Sequence, residues 1–455
     1  MIQSLPPLRI SGKGVFMATD LESATWRLRR GMERRFKAGH PWVYSNELTE
    51  SPKGLISGSP VLLQDAGGKF LARGYGNPKS LIAFRTLSRD PLNTDPTSVA
   101  SVLQVLNKAG QLRAAVGMKD VSHRLCFGEG DGLPGLIIDR YVTRSGQVFV
   151  VQAHTAGADQ LEGKLLEILE LYVQEQQKHK DHLGMKDLQD LATWDKTSIV
   201  LRNDLSVRNL EGVGEQEPRI LREISGHPLK ATEIYIQSVT GGEPLTFQVD
   251  LLGGQKTGFF LDQFANIQLA AVRLKNLRTS RIRILDLCTY VGQWGTQLGR
   301  VYKDLGLEVE VVLVDASAQA LELAYQNVSA QGVRCEKLKA NVLRDLGQLP
   351  DQSFDLVISD PPALIKGRKD IPTGTHAYLQ LATQVFRLLK KDGGVVCCSC
   401  SALLEEESFM HMLSKGALKN GVSVRWVGRG SQSPDHPMLI EFPEGRYLKG
   451  WIGIV

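Results

Sequence analysis

The sequence predicts an α/β protein: a doubly wound parallel sheet in the C-terminal half, preceded by a mixed α/β middle region and a small β-rich N-terminal region. Three observations carry this. From Arg281 onward, strand-like and helix-like runs alternate, the pattern of a parallel sheet with crossover helices. Residues 26–88 are short apolar runs broken by Gly, Pro and Asn, which fold as short strands joined by turns. At 455 residues the chain has room for about three domains of ordinary size.

The elements follow in order. Residues 1–17 read as a loose leader, and residues 60–70 and 71–78 as typical short strands of the β-rich region. The Arg- and Pro-containing stretch 89–96 reads as a linker. Residues 98–115 have helical spacing of apolar positions, and strands are expected near 135–141 and 148–153. Residues 157–191 are helical in pattern, with a very polar second half over 174–187; strands resume at 198–201 and 245–251. Then come strands at 282–287, 308–314, 354–359 and 394–398, with helices at 318–330 and 378–390. The expected domains are 18–95, 96–240 and 241–455.

Hydrophobic residues make up 42% and charged residues 23%, the ordinary range of a globular protein. No apolar run approaches the ~18 residues of a membrane span, and residues 1–31 lack the apolar core of a secretory signal. The six cysteines are unevenly spread, with Cys397, Cys398 and Cys400 crowded together, so a disulfide framework is not expected. Free thiols in a reducing cytoplasm are the expectation. A net charge of +5 is compatible with RNA without demanding a polyanionic partner.

In open α/β sheets, ligands sit beyond the carboxyl ends of the strands. Asp286, Asp315 and Asp360 fall at three such ends. Asp286 opens the loop Asp286-Leu287-Cys288-Thr289-Tyr290-Val291-Gly292, whose glycine lets backbone approach a ligand. Asp315 closes the next strand, where a carboxylate can accept both ribose hydroxyl protons. A nicotinamide fold also places an acid there, and each aspartate taken singly could be a helix cap or a hydrated loop residue. Together they favour a nucleoside. The first turn carries Gly292 in place of the G-x-G-x-x-G that cradles a pyrophosphate. S-adenosylmethionine (SAM) has a ribose and a sulfonium but no phosphate, so it needs no such cradle. Gly253-Gly254-Gln255-Lys256-Thr257 differs from a P-loop, because Gln255 precedes the lysine.

Asp360-Pro361-Pro362-Ala363 follows a strand, and its prolines fix the backbone after the acid. Enzymes that methylate exocyclic amines often have an aromatic residue after a similar turn; here that place holds Ala363. The next main strand ends in Cys398-Ser399-Cys400-Ser401. Carbon 5 of cytosine is a poor nucleophile until a thiolate adds to carbon 6. That chemistry needs a cysteine near an acid able to hydrogen-bond N3, and Cys400 with Asp360 supplies the pair. Cys397 and Cys398 read as small core residues. Cys397 and Cys400 are also spaced as C-x-x-C, which could mean redox or zinc, but no second pair completes a four-ligand zinc site and the spacing lies on a strand instead of a helix start, so neither redox chemistry nor a metal is expected.

With these residues in view, the chain resembles the RlmI-type bacterial enzymes that methylate carbon 5 of a cytosine in large-subunit ribosomal RNA. The resemblance covers nearly the whole chain. It runs through Ala38-Gly39-His40-Pro41-Trp42-Val43-Tyr44, Gly74-Tyr75-Gly76-Asn77-Pro78-Lys79-Ser80 and Glu129-Gly130-Asp131-Gly132-Leu133-Pro134-Gly135-Leu136. It continues through Gly254-Gln255-Lys256-Thr257-Gly258-Phe259-Phe260-Leu261-Asp262-Gln263, the Asp286 loop, the Asp360 turn, Ser399-Cys400-Ser401 and Pro443-Glu444-Gly445-Arg446-Tyr447-Leu448-Lys449. It implies an N-terminal PUA-like RNA-binding domain, a middle α/β domain and a Rossmann-like class I methyltransferase domain with SAM as cofactor. It also implies Cys400 as nucleophile, and Asp286, Tyr290, Gly292 and Asp315 as SAM-binding positions. Asn341 and Val342 fall where the adenine is held, with Asn341 in place of the more usual acid. Phe264 and Ile267 stand where the family has arginines.

For RNA contacts, Lys366, Arg368 and Lys369 follow the Asp360 turn, and Arg27, Arg29, Arg30, Arg34, Arg35 and Lys37 form a basic run before the β-rich domain. His376 reads as a helix residue without a chemical role. A homodimer is compatible with this organisation. Two rival readings remain: methylation of guanine or adenine in RNA, and a catalytically silent RNA-binding protein. Neither needs the Cys400 thiol.

Overall fold

The computed structural model describes residues 24–178, 192–278 and 280–455. The leader expected over 1–17, and the polar stretch beyond residue 178, lie outside the described residues. Three sheets organise the rest.

The first sheet contains β1 (Ala24–Arg27), β2 (Trp42–Tyr44), β3 (Pro60–Gln64), β4 (Phe70–Gly76) and β5 (Ile82–Ser88), in the order β1-β3-β4-β5-β2. On β3, Val61 and Leu63 alternate inward to meet Trp26, Phe36 and Phe84, as the period of two requires. The basic run does not precede this domain as expected but is built into it. Arg27 lies on β1, and Arg34, Arg35 and Lys37 lie on α1 (Glu33–Lys37). Arg35 pairs with Glu47 at 3.0 Å, so part of the run is structural.

The second sheet contains β6 (His123–Phe127), β7 (Leu136–Thr143), β8 (Gly146–Ala153), β9 (Thr197–Leu201), β10 (Arg219–Arg222), β11 (Thr232–Ile236) and β12 (Leu245–Val249). Helices α2 (Val99–Ala115) and α3 (Leu165–Lys178) cover one face, where Leu106 and Ile168 meet Phe149. The side chain of Ser98 caps α2 by accepting from Ser101 N at 3.2 Å. The other face packs Val148 and Val150 against Phe247, Phe259 and Val291. Both faces of β8 are therefore buried, which explains its nearly continuous apolar run. The antiparallel hairpin β11–β12 straddles the boundary expected between residues 240 and 241.

The third sheet contains β13 (Arg281–Leu287), β14 (Glu308–Asp315), β15 (Arg334–Lys339), β16 (Phe354–Ser359), β17 (Leu389–Ser399), β18 (Arg425–Gly430) and β19 (Lys449–Ile454). Their order is β15-β14-β13-β16-β17-β19-β18. The first five are parallel, but β19 runs antiparallel to β17 and β18, so the sheet is mixed, not wholly parallel as expected. Helices α4 (Phe264–Leu274), α5 (Gln293–Asp304) and α6 (Ala318–Ala330) cover one face. Helices α7 (Ile371–Leu388) and α8 (Glu406–Lys419) cover the other. Helix α7 begins before the expected residue 378, because Pro372 sits in its first turn, where its missing N–H costs nothing. Phe264 and Ile267 are buried in the α4 face of this core.

The motifs of the N-terminal half meet their partners where the domains touch. Tyr75 donates to Pro134 O at 2.9 Å, and Arg85 pairs with Glu211 at 2.8 Å beside Asn77, which donates to the same carboxylate. Trp42 Nε1 donates to Glu129 at 2.8 Å, and the Trp42 ring stands 4.7 Å from that of Phe442. No described helix is long and apolar enough to cross a membrane.

Candidate active site

Strand order reverses between β13 and β16, the switch point where open α/β sheets bind ligands. There the carboxyl ends of the strands open into a cavity of about 580 Å³. Of the residues singled out from sequence, Tyr290, Asp315, Asn341, Val342, Asp360 and Cys400 line it.

At one end stands Asp315, the last residue of β14. Its Oδ2 accepts from Tyr290 N at 3.0 Å and its Oδ1 from Ser317 N at 2.9 Å. A carboxylate oxygen has a second lone pair, so each can still accept a ligand hydroxyl. Tyr290 and Cys288 hold left-handed backbone, φ 50° and 60°, a strain that surrounding contacts must support. They do: the Tyr290 hydroxyl accepts from Gln255 N at 2.9 Å and donates to Gly258 O at 3.1 Å. Asn341 Oδ1 accepts from Leu343 N at 3.0 Å, a local turn that sets Val342 as an apolar wall.

Asp286 and Gly292 do not line this cavity. Asp286 is fully buried beneath the loop, where its Oδ2 accepts from Thr289 Oγ1 at 2.7 Å and Gly295 N at 3.0 Å. Burial raises its carboxyl to about 7. Gly292 has φ 78°, and a Cβ there would lie 3.0 Å from Ala324 of α6. Both residues shape the loop from behind.

At the other end Asp360 follows β16. Its Oδ1 accepts from Gln263 Nε2 at 2.7 Å and its Oδ2 from Trp294 Nε1 at 3.1 Å. Burial lifts its carboxyl to about 7, against the Trp294 hydrogen bond and with help from the Asp262 charge. Cys400 follows β17, its Sγ 3.9 Å from Pro361 O on the Asp360 turn. Burial pushes this thiol up to about 11, with Lys256 opposing. The flanking serines hold it in place. Ser399 donates to the Tyr378 hydroxyl at 2.8 Å, and Ser401 Oγ accepts from Ile365 N at 3.1 Å. Cys397 and Cys398 are buried in the two opposite cores of the sheet.

Sequence reasoning assigned no role to Lys256, Asp262, Gln263, Trp294 or Tyr447, all of which line the cavity. The signal available was their place in the family motifs. Lys366, Arg368 and Lys369 are exposed between the Asp360 turn and α7. Among the described residues they form no ion pair. His376 is exposed on α7.

Residues 27–89 match the model of a PUA-like domain, and residues 278–441 that of a methyltransferase domain. Proteins named ribosomal RNA large subunit methyltransferase I are similar along most of the chain. The one from Klebsiella pneumoniae subsp. pneumoniae is 29% identical over 437 residues, covering 93% of this chain and 96% of its own. That from Escherichia coli O127:H6 is 28% identical over 433 residues, covering 93% and 97%. Among solved structures, SMU.776 complexed with SAH shares the fold with TM-score 0.70 and 15% identity, covering 95% of this chain and 100% of its own. The cavity fits SAM: its size is that of a small-molecule site, Asp315 offers acceptors to a ribose, and Phe260 and Tyr290, packed edge to face with ring centroids 5.0 Å apart, line its wall. The chain thus carries a PUA-like domain followed by a SAM-dependent methyltransferase domain, and along most of its length it is similar to the proteins named ribosomal RNA large subunit methyltransferase I.

Proposed function

We propose that the protein methylates carbon 5 of a cytosine in RNA, with large-subunit ribosomal RNA as substrate, Cys400 as nucleophile and Asp360 as the acid at N3. The observation that carries this reading is the shared cavity: Cys400 and Asp360 lie on neighbouring strand ends and face the same space as Asp315. SAM supplies an electrophilic methyl group. Asp315, the Tyr290 loop, Asn341 and Val342 hold it, while Asp286 and Gly292 shape that loop.

The proton inventory then decides how the thiol acts. At neutral pH Cys400 is a thiol, and Asp360 is close to half ionised. The Asp360 carboxylate takes the Cys400 proton, the thiolate adds to carbon 6, and Asp360 passes that proton to N3. Carbon 5 becomes enamine-like and able to attack a methyl group. Burial of Asp360 serves this step, since a carboxyl near 7 can both take and give a proton at working pH. Amine methylation fits less well, because Ala363 supplies no aromatic platform after the Asp360 turn.

The PUA-like domain and the exposed Lys366, Arg368 and Lys369 capture RNA phosphates in this account. The reading places the protein in the cytoplasm. A homodimer is carried with it as an expectation, read by light scattering as twice the chain mass.

Cys400→Ala should keep SAM binding by calorimetry and lose methyl transfer. In ribosomal RNA from a deletion strain, one bisulfite-resistant cytosine should disappear. Methyl transfer by Cys400→Ala at the wild-type rate would remove the cytosine-5 reading.

A further inference from the structure

Cytosine-5 methylation has a last step that neither Cys400 nor Asp360 performs: the hydrogen on carbon 5 must leave as a proton. Many cytosine enzymes carry a second cysteine after the acid-proline turn to aid release, and here that turn holds Pro361 and Pro362. Cys397 and Cys398 face the cores. Cys288 lines the cavity, but burial and the surrounding aspartates keep its thiol protonated. Asp360 is already committed to the proton at N3 in the proposed reaction.

Asp262 is different. It lines the Cys400 end of the cavity from the turn Leu261–Gln263 that leads into α4. Its backbone carbonyl accepts from Ser433 N at 3.0 Å, which pins the turn. Its Oδ2 accepts from the Tyr447 hydroxyl at 2.5 Å. Among the described residues, no hydrogen bond reaches its Oδ1. Its neighbour Gln263 holds Asp360 at 2.7 Å, so acid and carboxylate are set by adjacent residues of one turn.

We propose that Asp262 is the base that removes the carbon-5 proton, with Tyr447 as the positioning residue that aims it. This rests on the cytosine-5 reading. The methyl group enters on the face opposite the sulfur, which leaves the hydrogen on the Cys400 side of the ring, and Asp262 and Tyr447 line the same cavity within electrostatic reach of the Cys400 sulfur. The proton passes to Asp262 Oδ1, the carbon–hydrogen electrons form the C5=C6 double bond, and the C6–S bond breaks with its electrons returning to Cys400. The N3 proton goes back to Asp360. Burial opposes the charge on Asp262, but Lys256, His436, Tyr447 and Arg124 face it and hold its carboxyl below the ordinary range. It therefore waits as a carboxylate. Tyr447, whose hydroxyl burial and the Asp262 charge keep protonated, supplies the fixing hydrogen bond and no proton.

The test uses the full chain, labelled SAM and an unmodified large-subunit ribosomal RNA transcript, beside the same transcript containing 5-fluorocytosine. Asp262→Asn should bind SAM as wild type does and transfer about one methyl group per enzyme. It should then stall as a denaturation-stable protein–RNA adduct on ordinary RNA, with multiple turnover reduced about 10²–10⁴-fold, the usual contribution of a general base. Tyr447→Phe should slow turnover less and accumulate the same adduct partially, whereas a merely structural role would slow it without any adduct. Asp262→Glu should restore part of the turnover. If wild type traps fluorocytosine RNA but Asp262→Asn turns over without adduct, the base assignment is overturned and the cytosine-5 reading stands. Asp262→Asn that binds SAM yet forms an adduct with neither RNA also overturns it, since Asp262 would act before the carbon–sulfur bond forms. No adduct from wild type on fluorocytosine RNA overturns both.

Discussion

At one end of the cavity Asp315 takes its two hydrogen bonds from backbone amides, Tyr290 N and Ser317 N. At the other end Asp360 and Asp262 take theirs from side chains, Gln263, Trp294 and Tyr447. Backbone donors fix a carboxylate in place, which suits a ligand that is the same in every cycle. At this end burial lifts the Asp360 carboxyl to about 7, where it can gain and lose a proton, while the charges around Asp262 hold that carboxyl low, so that it waits as a base. The two ends therefore divide binding from proton transfer, and that division can be broken one residue at a time.

The largest effect is expected at the proton-transfer end. Asp360→Asn should lower methyl transfer about 10²–10⁴-fold while SAM affinity stays within error. The pH profile sharpens this. With Asp360 near 7 and Cys400 near 11, the abundant form between those values is carboxylate plus thiol. The productive form, acid plus thiolate, has the same proton count, so its share is constant there. Below about 7 both groups are protonated and the share falls. Wild-type kcat/KM for RNA should thus rise with pH to about 7 and then level, and the residual activity of Asp360→Asn should lack that break.

At the binding end the effect is smaller. Asp315→Ala should weaken SAM by about 1.5–3 kcal/mol, the range for charged hydrogen bonds, and calorimetry reads it directly. Unchanged affinity would detach Asp315 from the cofactor.

The smallest effect concerns Asp286, which touches neither ligand. Its carboxyl is raised to about 7 by burial. The folded state therefore binds this proton more tightly than the unfolded chain, and the resulting stability is present below about pH 4 and lost as pH rises to 7. Asp286→Asn should flatten this decline by on the order of 1–3 kcal/mol, measured as melting temperature between pH 5 and 8. An equal slope in the variant would mean that Asp286 stays ionised.

The strand ends of the third sheet were legible because alternation is local: Asp315 and Asp360 could be placed from the apolar runs before them, and Cys400 from the run ending at Cys398. Orientation was less legible. Asp286 sits on the same kind of strand end but turns into the protein, because Thr289 and Gly295 of its own loop take its side chain. The partners that tune the acids were not legible at all. Gln263 and Asp360 are 97 residues apart, and Tyr447 and Asp262 are 185 apart. Their pairing depends on α4 and the antiparallel strand β19 arriving at the same edge of the cavity. No local spacing encodes that, although both segments stood out as unassigned motifs.

The central claim is that Cys400 bonds to carbon 6 of cytosine during methyl transfer. RNA containing 5-fluorocytosine tests it most directly, because fluorine on carbon 5 cannot leave as a proton and the bonded state cannot resolve. Incubated with SAM and this RNA, wild type should form a stoichiometric protein–RNA adduct that survives a denaturing gel, with the label mapping to the peptide containing Cys400. Cys397→Ala and Cys398→Ala should still form it; Cys400→Ala should not. Full methylation of cytosine RNA without any adduct on the fluorinated RNA would contradict the account.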